Sequence, residues 1–122
     1  MEHLRPEQFA TLANPGVTSL QLLSPHNSQS SRVTITRVVV AVGAIQPRHA
    51  HSLSEQIWYA LSGSGTLLLN GGKTQLIRAG EIVRFSENEI HGLENTGTTD
   101  FVYLSVTSPP INFDYAYASK GA

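Results

Sequence analysis

The sequence predicts an all-β domain, a sandwich or barrel, on three observations. Apolar runs are short and rich in Val, Ile and Thr; turn formers recur between them; and a glycine pair marks a hairpin near mid-chain. β-Branched side chains suit a pleated, half-buried surface. With 122 residues, 40% hydrophobic and 14% charged, the chain is long enough to bury one core and too apolar to remain unfolded.

Taken in order, residues 1–16 are polar and broken by Pro6 and by Asn14-Pro15-Gly16, which predicts an arm with one helical turn. Val17 to Leu23 is the first strand, closed by the turn formers Ser24 to Ser28. Arg32 to Val42 follows, then Ile45 to His51 and Gln56 to Leu61, each bounded by Gly, Ser or Pro. Thr66 to Leu69 and Thr74 to Arg78 flank Asn70-Gly71-Gly72, residues that tolerate the positive φ of a tight hairpin turn. Ile82 to Phe85, Glu89 to Glu94 and Asp100 to Thr107 complete the strands, and Pro109-Pro110 ends the last, because proline cannot donate to a ladder. This divides the chain into an arm (1–16), a barrel (17–110) and a tail (111–122). In the tail, Phe113, Tyr115 and Tyr117 recur at period 2, as in an edge strand or a segment lying across the barrel or a partner subunit.

Several function classes fall away. A formal charge of −1 with no basic stripe leaves no footprint for nucleic acid. The absence of cysteine removes disulfides, zinc thiolates, iron–sulfur clusters and cysteine nucleophiles. No apolar run approaches membrane-spanning length, the longest being Val38 to Val42, and the N-terminal residues do not read as a signal peptide. A cytoplasmic protein that binds neither membrane nor nucleic acid is the expectation.

The chemistry sits in two segments. The first places His49-Ala-His51 five residues after Gly43, then Gln56 after four more and Gly63 after a further six. The second places Ser86-Glu87-Asn88 five residues after Gly80, His91 after two more and Asn95 after a further three. A His-X-His on a strand turns both imidazoles to one face, and borderline divalent metals favour imidazole nitrogen. Singly, such a pair is common on any solvent-facing strand, and a lone His91 is as readily a hydrogen-bonded core residue.

At every step these spacings match the two motifs of the cupin superfamily, which the chain resembles over roughly residues 33–107. The resemblance implies a double-stranded β-helix, or jelly-roll, barrel. It also implies one divalent transition metal ion (Fe, Ni, Mn or Zn) held by His49, His51, Gln56 and His91. Small barrels of this kind are usually homodimers that share edge strands. Three departures stand out. Gln56 occupies the usual glutamate position, and Ser86 and Asn88 replace a proline and a glycine. Asparagine tolerates the left-handed conformation that glycine supplies there. A three-residue spacing after His51 would instead make Glu55 the ligand, but the two neighbours cannot both point inward, and the distance to Gly63 favours Gln56.

A neutral amide is a weaker ligand than a carboxylate and leaves the ion's charge uncompensated, which favours an anionic small-molecule substrate. Because imidazoles bind metal only when neutral, affinity should fall below about pH 6 to 6.5. Trp58 shares the parity of Gln56 and should wall the pocket, with Phe85 and Tyr103 beside it; Tyr59 should face outward, into a dimer interface. Arg48 and Arg84 are candidates for pairing with the anion or for solvent, and His3 and His26 are expected at the surface. No nucleophile–base pair is recognisable, so the expected chemistry is metal-centred. The resemblance implies a dioxygenase-like oxidation, a zinc-dependent isomerisation or cyclisation, or non-catalytic binding of a small ligand.

Overall fold

The computed structural model describes residues 1–117 and 119–121, the last three by backbone alone. Its strands are β1 (Ala10–Asn14), β2 (Val17–Leu23), β3 (Thr34–Val40), β4 (Ile45–His49), β5 (Glu55–Ser62) and β6 (Ser64–Leu69), followed by β7 (Thr74–Arg78), β8 (Ile82–Phe85), β9 (His91–Glu94), β10 (Phe101–Ser108) and β11 (Ser119–Gly121). They form two antiparallel sheets, a seven-stranded one in the order β11-β1-β2-β3-β10-β5-β8 and a four-stranded one in the order β4-β9-β6-β7. This is the double-stranded β-helix that the two motifs imply. No helix of the described residues is long and apolar enough to cross a membrane.

Register decides where a site can form. On the inner face of the larger sheet, Phe101 pairs with Val40, and Val40 with Val17 on its other side. Two residues along, Tyr103 faces Val38 and Ala60; two further, Ser105 faces Thr36 and Trp58; then Thr107 faces Thr34 and Gln56. Strand alternation turns all of these inward, and all are buried. The interior therefore grades from a packed apolar end to an end lined by hydroxyls and an amide. Leu67 and Leu93 close the apolar end from the smaller sheet, with 1% and 0% of their surface exposed. Each contributes roughly 1.5–3 kcal/mol by leaving water. Buried polar groups need partners, so the polar end must either satisfy itself or receive something.

The division into arm, barrel and tail needs correction at both ends. Only the first residues form an arm, with a 3-10 turn at Pro6–Gln8. Ala10–Asn14 belongs to the larger sheet, pairing with β2 on one side and with β11 on the other. In the tail, Phe113–Ala116 is a 3-10 turn and not a continuous strand, so its aromatic residues point in different directions. Outside the larger sheet, Tyr59, Leu61 and Ile82 on β5 and β8 are exposed. At the hairpin, Gly71 and Gly72 take φ of 69° and 75°, the left-handed backbone that their sequence anticipates.

Candidate metal centre

Two strand ends and one loop bring the ligand set together at the polar end of the interior. His49 closes β4 and pairs across the smaller sheet with His91, the first residue of β9. His51 lies two residues past β4, in the loop leading to β5, so the pair is not carried wholly on a strand. The imidazoles still converge: ligand nitrogens of His49, His51 and His91 lie within 4.8 Å of one another. The ring centroids are 4.9 Å apart for His49 and His51, and 4.4 Å for His49 and His91. Gln56 comes from the opposite sheet, on β5, and is buried at their side.

Hydrogen bonds fix which atom of each side chain faces the centre. A carbonyl only accepts, so the 2.8 Å contacts of His49 Nδ1 with the Pro47 carbonyl and of His91 Nδ1 with the Glu89 carbonyl place protons on those nitrogens. In the neutral rings Nε2 then carries a lone pair. The indole N–H of Trp58 only donates, so the Gln56 atom that receives it at 3.1 Å is the amide oxygen. Gln56 Nε2 in turn donates to Thr107 Oγ1 at 3.0 Å, which locks the amide. The consequence is a conflict: Gln56 Oε1 and His91 Nε2 stand 3.2 Å apart, both acceptors, with no proton to share. His51 Nε2 is likewise buried without a hydrogen-bond partner. Two facing lone pairs and an orphaned nitrogen are unfavourable in isolation and favourable around a cation. The donor set fits one borderline divalent ion, with second partners already orienting two of the imidazoles.

Other residues take definite places. Glu55 points out of the barrel and pairs with Arg84 at 3.1 Å, so the fork between the two neighbours resolves to Gln56 inside and Glu55 outside. Arg84 is thereby occupied on the outer face, whereas Arg48 reaches the cavity edge and donates to the Leu69 carbonyl at 2.9 Å. Asn88 has φ 64°, the glycine-like conformation, and its N–H donates to the His51 carbonyl at 2.8 Å, tying the β8–β9 turn to the ligand loop. Asn95, at the end of the second motif, is structural: its amide bridges the Val40 and Thr99 carbonyls. His26 sits on the surface against Asp114.

A cavity of about 360 Å³ opens from the ligands, lined in part by His49, His51, Gln56, Trp58 and Tyr103. Phe85 differs from its expected role. It is inside the barrel but does not line the cavity; it stacks flat behind His91, centroids 4.2 Å apart and planes 8° apart, and buttresses the ring. The tail, for which the sequence offers a segment lying across the barrel, supplies Phe113 and Tyr117 to the cavity wall, and Gly92, which no sequence signal singles out, lets β9 approach β4.

Burial and the nearby His49 push His51 down to about 4, and burial, partly opposed by the Glu89 carbonyl, does the same to His91. Proton competition at these two ligands thus moves below the pH 6 to 6.5 expected for free imidazoles. The sign for the metal-free protein follows from proton counts. Between about pH 6.5 and 4 the unfolded chain binds protons at these histidines and the folded chain does not, so stability falls as pH falls through that window. Thermal melts of chelator-treated protein should show a declining midpoint from pH 7 to 4 that His51→Ala and His91→Ala each reduce. A midpoint equally steep in both variants would refute this assignment.

The Cupin domain family matches residues 36–107. An oxalate-binding protein of Thermotoga maritima is 32% identical over 105 residues, covering 84% of this chain and 86% of that protein. Among solved structures, one from Thermotoga maritima described as a predicted oxalate decarboxylase aligns with TM-score 0.75 and 26% identity, over 88% of this chain and 99% of that one. The polyketide cyclase RemF from Streptomyces resistomycificus aligns with TM-score 0.76 over 99% of this chain and 84% of that one. Its 20% identity makes it a likeness of fold alone.

Proposed function

The chain belongs to the cupin domain family, and on that premise we propose that it is a metal-binding cupin in which His49, His51, Gln56 and His91 hold one divalent transition metal ion that receives a small oxygenated organic anion. The observation that carries this reading is the pair of acceptors, Gln56 Oε1 and His91 Nε2, facing each other at 3.2 Å with a partnerless His51 Nε2 beside them. The set carries no negative charge, so an anionic ligand supplies what the missing carboxylate would have neutralised.

An ion bound there supplies Lewis acidity, and redox capacity if it is iron, nickel or manganese. The protein's own part is to bind and orient. Trp58 and Thr107 hold the Gln56 amide, Phe85 holds the His91 ring, and Arg48 offers a positive charge at the cavity edge. Ser19, Thr36 and Ser105 place hydroxyls on the cavity wall. Tyr103, its hydroxyl donating to Gln46 Oε1 at 2.9 Å, is kept protonated by burial. Among the described residues no Asp, Glu or Lys lines the cavity, so no carboxylate or amine stands ready as a general base. That favours dioxygenase-type oxidation of an already ionised substrate over reactions that require a protein base to remove a proton. The same observation, with the 32% identity to the oxalate-binding protein of Thermotoga maritima, supports a second reading in which oxalate or a similar small carboxylate is bound without turnover. Zinc-dependent isomerisation or cyclisation is the weaker variant, because it calls for proton transfers.

The test is elemental analysis of protein purified without added metal, alongside a Gln56→Glu variant. About one equivalent of iron, nickel or manganese is expected in the parent chain, and about tenfold or more tighter metal binding in the variant, since a charged ligand replaces a neutral one. Zinc would turn the reading toward non-redox chemistry. Unchanged affinity in the variant would remove residue 56 from the ligand set, and no retention of any added ion would end the proposal.

A further inference from the structure

The cavity is larger and more aromatic than a two-carbon diacid needs. Oxalate has six heavy atoms, roughly the room of two or three waters at about 30 Å³ each, whereas the cavity holds about 360 Å³. Its walls come from two sources. The larger sheet gives Trp58 and Tyr103, stacked with centroids 4.2 Å apart and planes 26° apart. The tail gives Phe113, which meets the His51 ring edge-on at 5.9 Å, and Tyr117, whose hydroxyl bonds to Ser19. Tyr115 stands at the mouth with most of its side chain exposed.

This tail is fixed as a wall. Asn14 Nδ2 donates to the Ala116 carbonyl at 2.8 Å, His26 pairs with Asp114 at 2.9 Å, and the Ile111 N–H donates to Thr34 Oγ1 at 3.3 Å. Beyond it, β11 pairs with β1. The contacts reach three separate places in the chain (β1, His26 and Thr34), and the family match ends at residue 107, before the tail begins. An aromatic residue beside a ligand nitrogen contributes most when the bound molecule presents a flat π surface, because ring pairs gain beyond their buried area. Wall hydroxyls at Ser19, Thr36 and Ser105 would meet oxygen substituents at the far side.

We propose that the C-terminal tail, through Phe113 and Tyr117, makes the metal site selective for a planar, ring-bearing oxygen chelator (a phenolate or conjugated enolate) over small aliphatic acids. This rests on the metal-site reading above and names its ligand class. The specificity-determining residue is Phe113, which touches the cavity beside His51 without being a metal ligand.

A hydroxamate series tests it with the chelating head held constant. Protein loaded with Co(II) is titrated with acetohydroxamate, cyclohexanecarbohydroxamate and benzohydroxamate, following the visible bands of the ion. Benzohydroxamate is expected to bind about tenfold or more tighter than either of the others, from ring stacking and area together. Phe113→Ala should erase most of that preference, lowering benzohydroxamate affinity far more than acetohydroxamate affinity. Equal binding of the phenyl and cyclohexyl compounds, or a preference that survives Phe113→Ala, overturns the proposal while leaving the metal site standing. Protein that develops no Co(II) bands fails the underlying metal reading and this inference with it.

Discussion

A His91→Ala chain is expected to bind its divalent ion at least a hundredfold more weakly than the parent. Structural zinc sites of four ligands bind with roughly 10–16 kcal/mol, and on that scale a quarter share is about 2.5–4 kcal/mol, or roughly two to three powers of ten. His91 should reach that full share because nothing can replace it. Its ring is 1% exposed, stacked on Phe85, edge-on to Trp58, and tied through Nδ1 to the Glu89 carbonyl. In the metal-free state the loss is partly offset, because removing Nε2 also removes its lone-pair clash with Gln56 Oε1. The signature is therefore specific. At one and the same metal concentration, added metal raises the melting temperature of the parent far more than that of the variant. Competition against a chelating dye gives the affinity, with His3→Ala, at an exposed position, as the control. Parent-like affinity in His91→Ala would mean that the lone-pair conflict has been misread.

The convergence of His49, His51 and His91 was legible in the sequence through the resemblance to the two cupin motifs, whose spacings tie these residues to one place. Strand parity shows only that Gln56 and Glu55 cannot both point inward, and the six residues to Gly63 favour Gln56; His51 lies in a loop, where a period of 2 has no hold. Asn88 was legible because its side chain marks a backbone conformation. What stayed hidden depends on neighbours distant in the chain. Ala10–Asn14 has a weak strand composition, with Leu12 its single fully buried side chain; it is a strand because β2 and β11 offer it ladders. Phe85 shows the limit of parity, which tells inside from outside but not depth. It points inward as expected and lies behind His91 instead of beside the ligand. Period 2 in the tail left an edge strand and a segment across the barrel both open; Phe113 and Tyr115 sit in a 3-10 turn that sends the first across the barrel to His51 and the second to solvent.

Gly92 is the case where a hidden neighbour matters most for the site, and Gly92→Ala is expected to damage fold and metal binding together. A Cβ at this position would lie 2.6 Å from the Gln46 carbonyl oxygen and 2.9 Å from the Arg48 nitrogen and the Pro47 carbonyl carbon. All three are backbone atoms of β4, so no side-chain rotation relieves the contact. The register between β4 and β9 is already irregular between Gln46 and His49, leaving little slack in the ladder. Overpacking of this kind costs about 1–3 kcal/mol. The relief available is to push β4 away from β9, and those strands carry His49 and His91. Displaced supports of metal ligands typically lower affinity by about 10–100-fold. Gly65→Ala separates the two effects, because its Cβ would press on the Leu93 side chain at 2.8 Å, in the apolar end, where a flexible group can shift. It should lower the melting temperature and spare metal affinity, whereas Gly92→Ala should lower both. If Gly92→Ala kept the parent's metal affinity while losing only stability, the β4–β9 approach would be a packing feature and the centre would draw its geometry from the loop and β5 instead.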